Sequence, residues 1–308
     1  MPNVECRVSN ELLDTRHPTF GIRHSALGTR HSTLGTRHST LGTRHSTLDI
    51  PMLIYSDAQL VIINKPPGLS VHEAPGPGGS VLRELRERHG ISELTPIHRL
   101  DKDASGVLAL ARSKAAASQW QSRWGEAEKT YVALCEGAPS GEGNDSGTIN
   151  APILENQTGK PERLERAVRY YQKTHPDTTM PPLPPPKTSA VHVAGRSAQT
   201  SYRVLERFTC DGRTWTWLEI RPQQGRMHQI RVHLKHAGFP LACDALYGAR
   251  AVLRAIDLER GAGGEILIGR MPLHAAKLRL PGEQRVFEAP VPEDIAAVLR
   301  RLKAISNR

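Results

Sequence analysis

The chain has 308 residues and a formal net charge of +10, with 38% hydrophobic and 5% aromatic residues. That length buries a sizeable core in one large domain or two modest ones, and no stretch approaches the roughly 20 apolar residues that span a bilayer. A pI near 9.7 favours a polyanionic partner, because each Lys or Arg that neutralises a phosphate releases condensed counterions.

The first 51 residues differ from everything after them. From Gly21 to Leu48 the chain repeats every seven residues, reading GIRHSAL and then GTRHSTL three times, with a degenerate copy near Thr15 to Phe20. Each heptad offers one Leu among Gly, Thr, Ser, Arg and His, so no coiled-coil seam forms, and residues 1–51 are expected to be a disordered tail. The Arg-His pairs also admit an RNA-binding or metal-binding reading, although no positioned partner residue accompanies them. With six Arg against four acidic residues in the tail, +8 of the +10 lies in residues 52–308. Met52 stands just before the first well-patterned segment and offers an alternative start, with residues 1–51 then being translated upstream DNA. Nothing at the N-terminus resembles the apolar core of a secretory signal. Cys6, Cys135, Cys210 and Cys243 form no CxxC pair, which suggests neither zinc nor a disulfide framework and fits a reducing, cytoplasmic setting.

From Leu53 onward, short β-type runs dominate: Leu60 to Ile63, Val107 to Ala111, Tyr131 to Leu134, Thr214 to Ile220 and Gln229 to Leu234. Helical patterning falls at Ser80 to Arg88, Ala115 to Trp124 and Pro292 to Lys303. The expected class is α+β, a mixed, mainly antiparallel sheet flanked by helices over residues 52–308. Residues 174–187 read THPDTTMPPLPPPK, an exposed loop or linker that holds neither helix nor central strand.

Two segments carry chemistry. In His98-Arg99-Leu100-Asp101-Lys102-Asp103-Ala104-Ser105-Gly106, the Asp101 carboxylate between cations serves as a solvated ion pair or as a catalyst, and the residues alone leave both open. In Gly225-Arg226-Met227-His228-Gln229-Ile230-Arg231-Val232-His233-Leu234, strand alternation would send Gln229, Arg231 and His233 to one face and the aliphatic residues to the other. Such a strand is equally a half-exposed structural one. A zinc base deaminase is disfavoured because its HxE and PCxxC ligands are missing, and a methyltransferase because Gly76 to Ser80 and Gly261 to Gly264 lack the GxGxxG context.

Taken in order, these segments resemble the RluA-type pseudouridine synthases, whose motifs include HRLDxxTSG, KxYxA, GRxHQIRxH and GxPxxxDxxYG. Asn64-Lys65-Pro66-Pro67-Gly68-Leu69 lies upstream, Lys129-Thr130-Tyr131-Val132-Ala133 in the middle, and Gly238-Phe239-Pro240 with Asp244-Ala245-Leu246-Tyr247-Gly248 downstream. Leu273-His274-Ala275 and Phe287-Glu288-Ala289-Pro290 look like the family's last strands, so the resemblance runs from about Leu53 to Lys303. Ala104 in place of Thr, Met227 in place of Thr or Arg, and the Pro-rich loop depart from the pattern.

The resemblance implies an RNA uridine isomerase acting on ribosomal or transfer RNA, with no cofactor and no metal, as a cytoplasmic monomer without membrane attachment. Asp101 would be the catalytic carboxylate, Arg231 would hold it charged and oriented, and Tyr131 would stack on the uracil and assist proton removal at C5. Arg99 would fill the space left by the flipped nucleotide, and His98, Arg226, His228 and Gln229 would contact substrate or support the site. His233 would likewise support the site. Many family members carry a separate small N-terminal RNA-binding domain; here recognition is expected to rest on the catalytic domain's basic groove. The reading from another class is a noncatalytic RNA-binding or ribosome-assembly protein that keeps the fold.

Overall fold

The computed structural model describes residues 52–72, 79–91, 93–140, 145–157 and 159–307, so the repeat tail and the alternative start lie outside the described residues. The strands are β1 (Leu53–Ser56), β2 (Leu60–Lys65), β3 (Thr95–Pro96), β4 (Ser105–Ala111), β5 (Glu128–Glu136), β6 (Ser146–Asn150), β7 (Ile153–Asn156), β8 (Thr188–Val191), β9 (Gln199–Cys210), β10 (Arg213–Pro222), β11 (Leu253–Arg254), β12 (Ile266–Ile268), β13 (Leu273–Arg279) and β14 (Val286–Glu288). The α-helices are α1 (Val81–His89), α2 (Lys114–Ser122), α3 (Pro161–Thr174), α4 (Gln229–His236), α5 (Ala255–Leu258) and α6 (Glu293–Ser306).

Among the described residues, ten strands form one sheet in the order β1-β2-β4-β13-β5-β10-β9-β6, with β14 on β13 and β3 on β4. Every pairing is antiparallel except β4 with β13. This agrees with the expected mixed, mainly antiparallel α+β class.

The central strands are apolar on both faces, and their two-residue period sorts them. Val61, Ile63, Leu108, Leu110 and Ala133 join one core cluster with Leu85 of α1 and with Ile230 and Leu234 of α4. Ile62, Val107 and Ala109 turn the other way, to Ala117 of α2 and to Phe287. Val132 and Leu134 pack beneath Ile295, Val298 and Leu302 of α6. Capping fixes the ends of α1: the Ser80 side chain accepts from the Arg83 N–H, and Gly90 closes the helix in the left-handed conformation at φ 63°.

The expected strand Gln229 to Leu234 is instead the helix α4, entered through His228 at φ 57°. All six of those residues are buried, so alternation never separates a wet face from a dry one. Ile230 and Leu234, four apart, reach the main core, while Val232 packs with Ile153, Ala198 and Tyr247. Gln229 and His233, also four apart, both bond the Thr200 hydroxyl at 3.1 and 2.8 Å. Arg231 therefore leaves the face it was expected to share with them. A short apolar and polar alternation fits either period, and here satisfied polar side chains decide for the helix.

Residues 157–187 form an excursion between β7 and β8, whose Asn156 and Thr188 pair directly. Within it α3 was not foreseen, while 175–187 holds neither helix nor strand, as the proline content requires.

Gly106 sits at the parallel crossing, opposite Ala275, with φ 113°. A Cβ there would lie 2.2 Å from the Ala275 carbonyl oxygen and 2.6 Å from its nitrogen. Backbone strain and overlap together make Gly106→Ala cost about 3 kcal/mol or more, a fall in Tm of roughly 10 °C. Thermal unfolding checks this, and an unchanged Tm would contradict the close approach.

Candidate active site

The loop from Ile97 to Ala104 leads into β4. Leu100 and Ala104 are buried in the main core, and this anchoring leaves Asp101 between them with its side chain 27% exposed. From behind, the buried Lys65 at the end of β2 donates through Nζ to the carbonyls of Pro66 (2.8 Å), Leu69 (2.9 Å) and Lys102 (2.9 Å). Using all three ammonium hydrogens in this way ties the Pro-Pro-Gly turn to the loop bearing Asp101. Burial pulls the Lys65 ammonium down to about 7, against the opposing charges of Asp103 and Asp101.

Arg231 of α4 reaches the same point. Its Nη1 donates to Asp101 Oδ2 at 2.9 Å, while Nε and Nη2 form a two-pronged pair with Asp244 at 2.7 Å each. Asp244 is itself fixed by accepting from the backbone N–H groups of Leu246 (3.0 Å) and Tyr247 (3.2 Å). Burial alone would lower the guanidinium, but the Asp244 hydrogen bonds and the charges of both carboxylates outweigh it and push it up. Burial alone would raise Asp244, and Arg231 with the two backbone donors brings it below the usual carboxylate range. The guanidinium also lies 4.9 Å over the Tyr247 ring.

Tyr247 sets the state of His228. Its oxygen accepts the Ser189 N–H at 2.8 Å, and His228 Nδ1 stands 2.8 Å away, placed to take the hydroxyl proton. The proton of a neutral His228 is then on Nε2, 4.0 Å from Asp101 Oδ1. Burial lowers His228, with Asp101 opposing, so the ring is neutral near pH 7.

Of the nine residues singled out in the sequence, eight line one cleft of about 610 Å3, namely His98, Arg99, Asp101, Tyr131, Arg226, His228, Gln229 and Arg231, and His233 does not. Their roles in it differ. Arg99 is exposed, and Tyr131 is half-buried with its phenol pushed up by burial and by Asp101. Arg226 donates to the Ser197 carbonyl (3.2 and 3.0 Å), and Gln229 bonds Gln199 and Thr200 and accepts the Arg226 N–H, so both brace the cleft wall. His98 stacks on Trp124 with ring centroids 4.5 Å apart, and its Nε2 accepts the Ala109 N–H. His233 is buried between Thr200 and the Ala151 carbonyl. Lys65, Lys129, Asp244 and Tyr247 were given no role from sequence, although each stands within a quoted motif. Their signal was the motif spacing. Among the described residues no three His, Cys, Asp or Glu side chains gather as a metal site, and no helix is long and apolar enough to cross a membrane.

A family model described as RNA pseudouridylate synthase matches residues 59–236. An uncharacterized RNA pseudouridine synthase of Chloroflexus aurantiacus is 36% identical over 255 residues, 78% of this chain and 66% of that protein, a little under two thirds of its length. The ribosomal large subunit pseudouridine synthase D of Yersinia pestis is 32% identical, covering 83% of this chain and 72% of that protein. Among solved structures, human RNA pseudouridylate synthase domain containing 4 superposes with a TM-score of 0.57 at 26% identity, over 82% of this chain and 92% of that one.

Two outcomes follow from these contacts. Asp244→Ala leaves part of the buried Arg231 charge uncompensated and should cost about 3 kcal/mol in urea unfolding; a loss below about 1 kcal/mol would speak against the shared guanidinium. His98, pushed down to about 3 mainly by burial and also by Lys129, refuses a proton that the unfolded chain accepts near pH 6.5. Its contribution is therefore complete above that pH and drains away as pH falls toward 3, by about 1 to 2 kcal/mol between pH 7 and 5. Urea unfolding at both pH values should show a smaller drop for His98→Gln than for the wild type, and equal drops would contradict it.

Proposed function

The chain belongs to the RNA pseudouridylate synthase family, and we propose that it isomerises uridine to pseudouridine in RNA with Asp101 as the catalytic carboxylate. The observation that carries this reading is the Asp101–Arg231–Asp244 array beside a nucleotide-sized cleft. The reaction breaks the bond from N1 of uracil to C1′ of the ribose, turns the base and joins C5 to C1′. C5 gives up a proton and N1 gains one, so substrate and product are isomers and no oxidant, reductant or group donor is consumed.

Arg231 occupies Oδ2 of Asp101, which makes Oδ1 the less constrained oxygen and the one suited to act at the ribose, as nucleophile or as base. His228, neutral and carrying its proton on Nε2, is suited to donate toward the nucleotide or to Asp101. A target uridine leaves its stack at a cost of a few kcal/mol, and exposed Arg99 is suited to take its place. Tyr131, held as a phenol, offers a ring face for the uracil and an O–H in preference to a phenolate base. Relatives named as large-subunit ribosomal synthases make ribosomal RNA the first substrate to test, with transfer RNA second. A cytoplasmic monomer is the form in which we place it.

Pseudouridine mapping of RNA from cells lacking the gene, rescued by the wild type or by Asp101→Asn, tests this. The expected result is that sites lost on deletion return with the wild type alone, with a rate loss for Asp101→Asn of at least about 10³-fold and RNA affinity within about twofold, because phosphate contacts dominate binding. Sites restored by Asp101→Asn would remove that residue from the chemistry, and an unchanged map would favour a noncatalytic RNA-binding protein.

A further inference from the structure

The excursion between β7 and β8 carries a surface that the cleft chemistry does not use. On α3, Leu164, Ala167, Val168 and Tyr171 are half-buried on the side that packs on β7. The opposite side is fully exposed and holds Arg163, Arg166, Tyr170 and Lys173, at steps of three, four and three residues that bring them onto one stripe. The stripe spans about 15 Å at 1.5 Å per residue. Over residues 160–173 there are five cations against two carboxylates. The nearest internal pairing, Arg169 with Glu165, is long at 3.9 Å, with both side chains well exposed. Tyr170 stands 71% exposed among these cations.

Cations at this spacing with an interleaved aromatic ring suit a nucleic-acid backbone, with phosphates neutralised by the guanidinium and ammonium groups and the phenol ring placed to stack on a base or sugar. An amphipathic membrane contact would need the apolar side of α3, which is already spent on β7. The position also fits. Glu155 of β7 accepts the N–H of Met227 at the cleft (2.9 Å), and Ser189 of β8 donates to Tyr247, which holds His228. Both strands that carry the excursion are thus tied to the cleft, β7 to its lining residue Met227 and β8 through Tyr247 to His228, and α3 packs directly on β7.

We propose that the outer face of α3 is a second RNA-contact surface, which grips the phosphate backbone of the substrate a few nucleotides from the target uridine. This rests on the reading of the protein as an RNA-modifying enzyme. The test uses the full chain carrying Asp101→Asn, so that binding is read without turnover, with and without Arg163→Gln, Arg166→Gln and Lys173→Gln together. Tyr170→Ala is the companion variant, and all four side chains are exposed, so Tm should be unchanged. The probes are a protein-free large-subunit ribosomal RNA transcript, a total transfer-RNA pool and a short uridine oligonucleotide that fills the cleft alone.

For the long RNA that the protein prefers, the triple variant should bind about tenfold or more weakly at low salt, with the slope of log affinity against log salt shallower by about 2 to 3. Affinity for the short oligonucleotide should stay within about twofold, and the single-turnover rate at saturating RNA should not change in the Asp101 background. Equal affinity and equal slope on both long RNAs would overturn the proposal, as would an equal loss on the short probe, which would mark a diffuse charge effect. Retained RNA binding with lost capture of acidic ribosomal proteins would overturn it in favour of a protein partner. If the wild type modifies no RNA, the functional reading fails on its own, while the binding slopes still decide this one.

Discussion

A single guanidinium organises the centre of this protein. Arg231 joins the distant loop that bears Asp101 to the helix α4 that bears Arg231 itself and to the turn that begins at Asp244, 13 residues on. Two prongs on Asp244 hold the planar group rigid, and the remaining one aims at Asp101. Because Asp244 is buried and charged, it cannot be abandoned without a large desolvation penalty, so the pairing constrains where α4 docks as firmly as its apolar residues do. The core beneath completes the arrangement through Ile230 and Leu234.

Behind this array the electrostatics run in one direction. Burial drives His98, His228, His233 and His274 downward and the Tyr131 phenol upward, so the groups around the carboxylate are held neutral. Arg231 and Asp244 hold each other charged, and Lys65 below the loop, brought down to about 7, stands between its two states. In such surroundings the orientation of the Asp101 carboxylate is set by Arg231 in advance of any occupant of the cleft.

Much of this was legible in the sequence because several motifs occur in register, and residues separated by 130 positions, Asp101 and Arg231, could be paired before any coordinates. Apolar runs gave β2, β4, β5 and β10, and helical patterning from Ser80 to Arg88 gave α1 to within a residue at each end. The reading failed where a residue's partner decides its conformation. Gln229 to Leu234 alternates like a strand, but Thr200, the Ala151 carbonyl and Asp244 take its polar side chains from several sides, and only a helix satisfies them all. Lys65 was quoted within a motif without a role, and its role shows only in the three carbonyls that close on it. The signal for α3, by contrast, was present and missed: Leu164, Ala167, Val168 and Tyr171 recur at helical spacing behind Pro161, beside a proline-rich stretch that drew the reading toward a loop.

The direct pairing of Asn156 with Thr188 bears on how such proteins diverge. A segment that leaves and returns through one rung of a ladder can lengthen, shorten or be exchanged at little conformational cost, because closing a loop twice as long adds only about 0.6 kcal/mol. The strands at its base are bonded to the cleft and stay fixed while the excursion varies. The excursion can in this way change its length while Asp101 and Arg231, held elsewhere in the fold, keep their places.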